Sequence, residues 1–151
     1  MRQIVSLVKN RRYSAAQQLC TLRIRYPDSE GHLLHNGFEW TFTLTPTDLS
    51  DTYRIKIIYR DGMVPQVYVL SPKPLRMPEN AKRLPHTYDT KRQRICICLP
   101  SDWNSSKLIA DTIVHWTIRW LIYYEHWAYT GIWEGGGHGN WNVEPICDDH
   151  I

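Results

Sequence analysis

One segment of the chain has the residue types and spacing for covalent chemistry. It reads Leu84-Pro-His86-Thr-Tyr88, then Arg94-Ile-Cys96-Ile-Cys98-Leu-Pro100, and then Trp103. His86 and Cys96 lie ten residues apart, and Cys96 stands at the end of an apolar, strand-like run. A thiol exposed where a rigid strand ends can act as a nucleophile in its thiolate form. Lys91, Arg92 and Arg94 just upstream would favour that form. Such a thiol needs no catalytic triad if the incoming group is already an activated thioester. Gly-x-Ser-x-Gly, P-loop, Gly-x-Gly-x-x-Gly and His-Glu-x-x-His patterns are all absent.

Other readings of the same residues stand beside this one. Cys96 and Cys98 can be two small apolar residues of a strand. A zinc site would pair them with His86 and a further histidine, but no second paired motif completes four ligands. A disulfide between them would be strained, because side chains two apart on a strand are about 6–7 Å apart. His86 is either a loop histidine bonded to backbone carbonyls or the organiser of the loop beside the thiol. Asp89 and Asp102 flank the cysteines and suit either turns or the deprotonation of an attacking amine. His115 reads as a solvated or packing residue.

The elements that must position these groups are legible from periodicity. Residues 2–26 predict a helix with a candidate interruption at Asn10 to Tyr13, and the run from Pro27 to Gly31 ends it. Phe38, Trp40, Phe42 and Leu44 alternate with polar residues, as do Tyr53, Ile55, Ile57 and Tyr59. Asp61-Gly62 marks a hairpin, and 64–70 completes an antiparallel meander. Pro72, Pro74, Pro78 and Pro85 make 71–86 extended and irregular. Alternation of Ile95, Ile97 and Leu99 then predicts that both thiols point away from the apolar face. Asn104-Ser105-Ser106 can cap the next helix. Its stripe, Ile109, Ile113, Trp116, Trp120, Tyr123 and Trp127, reads as core, with Asp111, His115 and Arg119 as a polar stripe. Gly131 ends that helix, Gly135-Gly136-Gly137 reads as a flexible loop, and 138–151 as a tail.

A length of 151 residues fits one domain, and 42% hydrophobic content makes it globular. The net charge of +3 is too small to argue for nucleic acid, although Arg11, Arg12, Arg23 and Arg25 form a loose basic patch. The first nine residues lack the apolar length and cleavage site of a signal peptide. Asp111, His115 and Arg119 interrupt the most apolar run, which argues against a membrane span. The expectation is a cytoplasmic protein with Cys20, Cys96, Cys98 and Cys147 reduced and no cofactor.

The order of these elements resembles the α+β fold of ubiquitin-conjugating enzymes. In that family a His-Pro-Asn motif precedes the catalytic cysteine by about ten residues, and a Trp follows the cysteine. Here Pro85-His86-Thr87 stands in that place, Ile95-Cys96-Ile97 supplies the cysteine, and Trp103 matches the Trp. The resemblance is closer to the bacterial branch of CBASS operons, which defend against phage through cyclic oligonucleotides. It rests on Trp120-Leu-Ile-Tyr-Tyr124-Glu125-His-Trp127-Ala-Tyr-Thr130-Gly131-Ile-Trp133-Glu-Gly135-Gly136. It implies an enzyme that holds a protein's C-terminal glycine as a thioester and passes it to a lysine amine. The carried protein would be a cGAS-like cyclic-nucleotide synthase. The chain would be the stand-alone type, since it is too short to include an ATP-using activating domain. The spacing from His86, and Pro100 four residues beyond, favour Cys96 as the nucleophile. Cys98, followed by Leu99, is the alternative. An inactive docking module for the synthase and a zinc adaptor are the competing functions. The family's oxyanion-stabilising asparagine is missing, leaving Thr87, Tyr88 or backbone amides for that role.

Overall fold

The computed structural model describes residues 11–136. The first helix among these residues, α1, runs over Ala15–Arg25 and is set by a capping box at Ser14. The Ser14 hydroxyl accepts from the Gln17 amide at 3.1 Å, and the Gln17 side chain accepts from the Ser14 amide at 2.9 Å. The helix expected over 2–26 is present from Ala15 to Arg25. Residues 11–14 are not helical, and 2–10 lie outside the described residues.

Six strands follow: β1 (Glu30–Leu34), β2 (Gly37–Leu44), β3 (Tyr53–Arg60), β4 (Gln66–Ser71), β5 (Thr87–Asp89) and β6 (Arg94–Ile95). They form one antiparallel sheet in the order β1-β2-β3-β4-β6-β5. The expected meander is present and has one more strand than the sequence suggested. β1 falls partly within the segment read as a helix stop, and it is mostly exposed without alternation, so periodicity gave no sign of it. The turn into β2 requires glycine. A Cβ on Gly37 would lie 1.8 Å from the Tyr59 carbonyl oxygen.

The inward face of the sheet carries Phe38, Trp40, Phe42, Tyr53, Ile55, Ile57, Tyr59, Val67, Val69 and Ile95, all buried. The helices cover it. Leu19 and Leu22 of α1 join this core, as do Ile113, Trp120, Leu121, Tyr124 and Trp127 of α2 (Ile113–Thr130). Tyr124 meets Tyr53 edge-on at 6.4 Å. α2 starts about two turns later than the Asn104-Ser105-Ser106 signal predicts. Asn104 instead caps a local turn through the Ser106 amide at 2.9 Å, and a short 3-10 turn, Ile109–Asp111, leads into the helix. Side-chain bonding to nearby backbone is the usual competitor of helix at such residues. Gly131, with φ of 75°, closes α2 by donating to the Trp127 carbonyl at 2.7 Å.

Two buried glutamines bind the irregular segments to this frame. Gln18 of α1 donates to Lys107 O at 2.9 Å and accepts from Ile109 N at 2.8 Å. Gln93, in the turn between β5 and β6, accepts from Leu75 N at 2.7 Å and donates to Val69 O and Pro72 O at 2.9 and 3.0 Å. Through Gln93 the Pro-rich segment, irregular as expected, is pinned beside β6 and the cysteines.

Candidate active site

β6 ends at Ile95, so Cys96 is the first residue beyond the sheet. Its amide donates to the His86 carbonyl at 2.8 Å. The indole N–H of buried Trp120 donates to the same carbonyl at 3.2 Å. His86 has φ of 45°, a left-handed conformation that non-glycine residues seldom adopt and that carries strain. Its ring stacks on Trp133 at 5.1 Å. His86 is thus brought to Cys96 mainly through its backbone, with its ring held by an aromatic side chain.

The two thiols have different surroundings. The Cys96 thiol is half-buried and donates to the Cys98 carbonyl at 3.6 Å. Cys98 packs against the hydrophobic core. Burial, helped by the nearby Asp102 and Cys96, pushes its thiol up to about 11. This corrects the expectation that both thiols point away from the apolar face. Strand alternation stops at Ile95, and the coil that follows turns Cys98 inward.

Two of the upstream cations lie over aromatic rings. Arg92 lies over the Tyr68 ring at 5.5 Å and Arg94 over the Tyr88 ring at 4.5 Å. Tyr88 in turn is a hydrogen-bond partner of Cys96. That bond, then burial, pushes the phenol up to about 12, so it keeps its proton beside the sulfur. Thr87 is engaged elsewhere, donating to Leu84 O at 3.1 Å. Asp89 accepts from the Arg92 amide at 3.0 Å and acts as a turn residue. Asp102 accepts from Leu99 N at 2.9 Å, which fixes the loop after the cysteines.

Cys96 opens into a cleft of about 490 Å³. Its walls include His86, Ile97, Cys98, Leu99, Asp102, Trp116, Arg119, Trp120, Tyr123 and Trp133. Trp116 and Tyr123 are only half-buried, so the stripe read wholly as core divides between core and cleft. A 3.6-residue period reports a shared face but not what that face meets. Gly135 and Gly136, expected to be a flexible loop, complete the cleft. Trp133 Nε1 donates to Gly136 O at 3.0 Å, and a Cβ on Gly135 would meet Tyr123 and Trp133 at 2.9 Å. Gly137 and Cys147 lie outside the described residues. Among the described residues no three His, Cys, Asp or Glu side chains converge as metal ligands. The zinc-adaptor reading therefore lacks a ligand set there. No helix among them is long and apolar enough to cross a membrane.

A family model described as type II CBASS E2 protein matches residues 18–140, a span that contains the whole cleft. The chain belongs to the type II CBASS E2 family. No curated protein matches it. Membership gives this E2 protein a role in CBASS antiviral defence in bacteria and an association with components of CBASS operons. Its α+β architecture, an N-terminal helix, an antiparallel sheet and a C-terminal helix, agrees with an E2-like fold.

Proposed function

We propose that this CBASS E2 protein is a cytoplasmic cysteine transferase. It carries the C-terminal glycine of a partner protein, a cGAS-like cyclic-nucleotide synthase, as a thioester on Cys96 and delivers it to a lysine amine. The observation that carries this reading is the Cys96 amide held on the His86 carbonyl, with the thiol at the mouth of an aromatic cleft.

Loading begins when the Cys96 thiolate attacks the glycine carbonyl of a tail already activated on another protein. The S–C bond forms and the activating group leaves. In transfer, a lysine amine attacks the same carbonyl, the N–C bond forms, and the S–C bond breaks. Asp102, in the cleft wall, is placed to take the amine proton. The Tyr88 hydroxyl, protonated beside Cys96, is a donor for the departing thiolate. Cys98, its thiol held protonated by burial, packs the loop and carries nothing.

The test is co-expression with the operon neighbours, followed by a non-reducing gel and mass spectrometry of wild type, Cys96→Ala and Cys98→Ala. A thiol-sensitive adduct to a partner's C-terminal glycine, lost only in Cys96→Ala, is the expected result. Loss only in Cys98→Ala would move the nucleophile. A partner that co-purifies with every form but never forms an adduct would replace the transferase by a docking module.

A further inference from the structure

Cys96 lines the cleft, so the cleft's shape bears on which tails a chain joined to its sulfur can carry. One wall is a single face of α2, carrying Trp116, Arg119, Trp120 and Tyr123 at i, i+3, i+4 and i+7. From Trp116 to Tyr123 the helix rises about 10.5 Å at 1.5 Å per residue. An extended peptide covers that distance in about three residues at ~3.3 Å each. Leu99 and Ile97 face the space from the cysteine segment, and Trp133 closes it beside His86.

A diglycine tail would bring no side chain to this wall. The half-buried faces of Trp116 and Tyr123 would stay wet, and the contacts they could make would be unmade. A volume of about 490 Å³ admits a large side chain beside the extended backbone. Arg119 is exposed on the same face and forms no ion pair with a carboxylate among the described residues. Its guanidinium, in the cleft wall, can donate to a peptide carbonyl oxygen.

Building on the carrier reading, we propose that the cleft selects the carried protein by its tail: an extended C-terminal peptide with an aromatic or large aliphatic side chain one or two residues before the terminal glycine. That side chain lies on Trp116 and Tyr123, and Arg119 takes a backbone carbonyl oxygen. Tails ending in two glycines are poor substrates.

Synthetic peptide thioesters of a small thiol test this without an activating protein. The Cys96 sulfur bonds to the glycine carbonyl carbon, and the small thiol leaves with a proton, so intact mass reads the loading rate. An Ala-Ala-Phe-Gly thioester is expected to load at least about tenfold faster than Ala-Ala-Gly-Gly, in line with burial of one large apolar side chain. Trp116→Ala and Tyr123→Ala should collapse that ratio, and Trp116→Phe should keep most of it. A ratio near one in wild type, with Cys96 loaded by both peptides, would overturn the selectivity and leave the carrier reading intact. If neither peptide loads although iodoacetamide alkylates Cys96, the carrier reading fails. The free-acid peptides titrated into Cys96→Ala protein, read by Trp fluorescence, then decide the selectivity. Tighter binding of the Phe-Gly tail supports it, and equal or absent binding overturns it.

Discussion

Cys96 and Cys98 differ in surroundings far more than in sequence. Cys96 hangs from the end of a strand by one backbone hydrogen bond and faces a cleft. Cys98 forms part of a partition between that cleft and a second cavity of about 580 Å³, whose lining does not include Cys96. The contrast arises from the length of β6. Had β6 continued to Leu99, alternation would have put both thiols on one face. Because it stops at Ile95, the two thiols, both half-buried, differ in their neighbours: Cys98 packs against the core, and burial raises its thiol.

The largest effect that would sharpen this contrast is all or none. Cys96→Ala should abolish adduct formation, whereas Cys98→Ala should keep it, with only a modest loss of stability. Equal loss in both would break the distinction.

Next in size is the support beneath Cys96. Trp120→Ala removes a buried indole and the donor to the His86 carbonyl, and should destabilise the fold by about 3–5 kcal/mol in chemical denaturation. Trp120→Phe keeps most of the packing and loses the hydrogen bond, worth about 1 kcal/mol. It should still slow loading of Cys96. Unchanged loading would mean that the His86 carbonyl does not position the thiol.

The smallest effect concerns pH. The folded-state value of Cys98 is raised from 9.0 to about 11, so the folded protein holds this proton where the unfolded chain releases it. Its stabilising contribution is complete below about pH 9 and falls as pH rises through about 11. Denaturation at pH 8.5 and 10.5 should show a larger decline in wild type than in Cys98→Ala. Equal declines would show that Cys98 is not desolvated.

Much of the sheet was legible because Trp40, Ile55 and their neighbours alternate against one core. Helix starts were less so. Asn104-Ser105-Ser106 is as good a cap as Ser14, but only Ser14 has Gln17 three residues on to complete a capping box. The position of Cys96 beside His86 followed from the family's spacing. The cleft did not, because Trp116 and Tyr123 have the same period as core residues. Nor did the pairing of Arg94 with Tyr88, which depends on a bulge between Thr87 and Asp89 that no residue pattern announces.

Gln18 has a consequence for how the chain matures during synthesis. Its two backbone partners, in Lys107 and Ile109, are 89 and 91 residues downstream. Until the loop that carries them has been made, the Gln18 amide has neither of these partners. The tie between α1 and the loop before α2 therefore forms only once the chain has been made past Ile109.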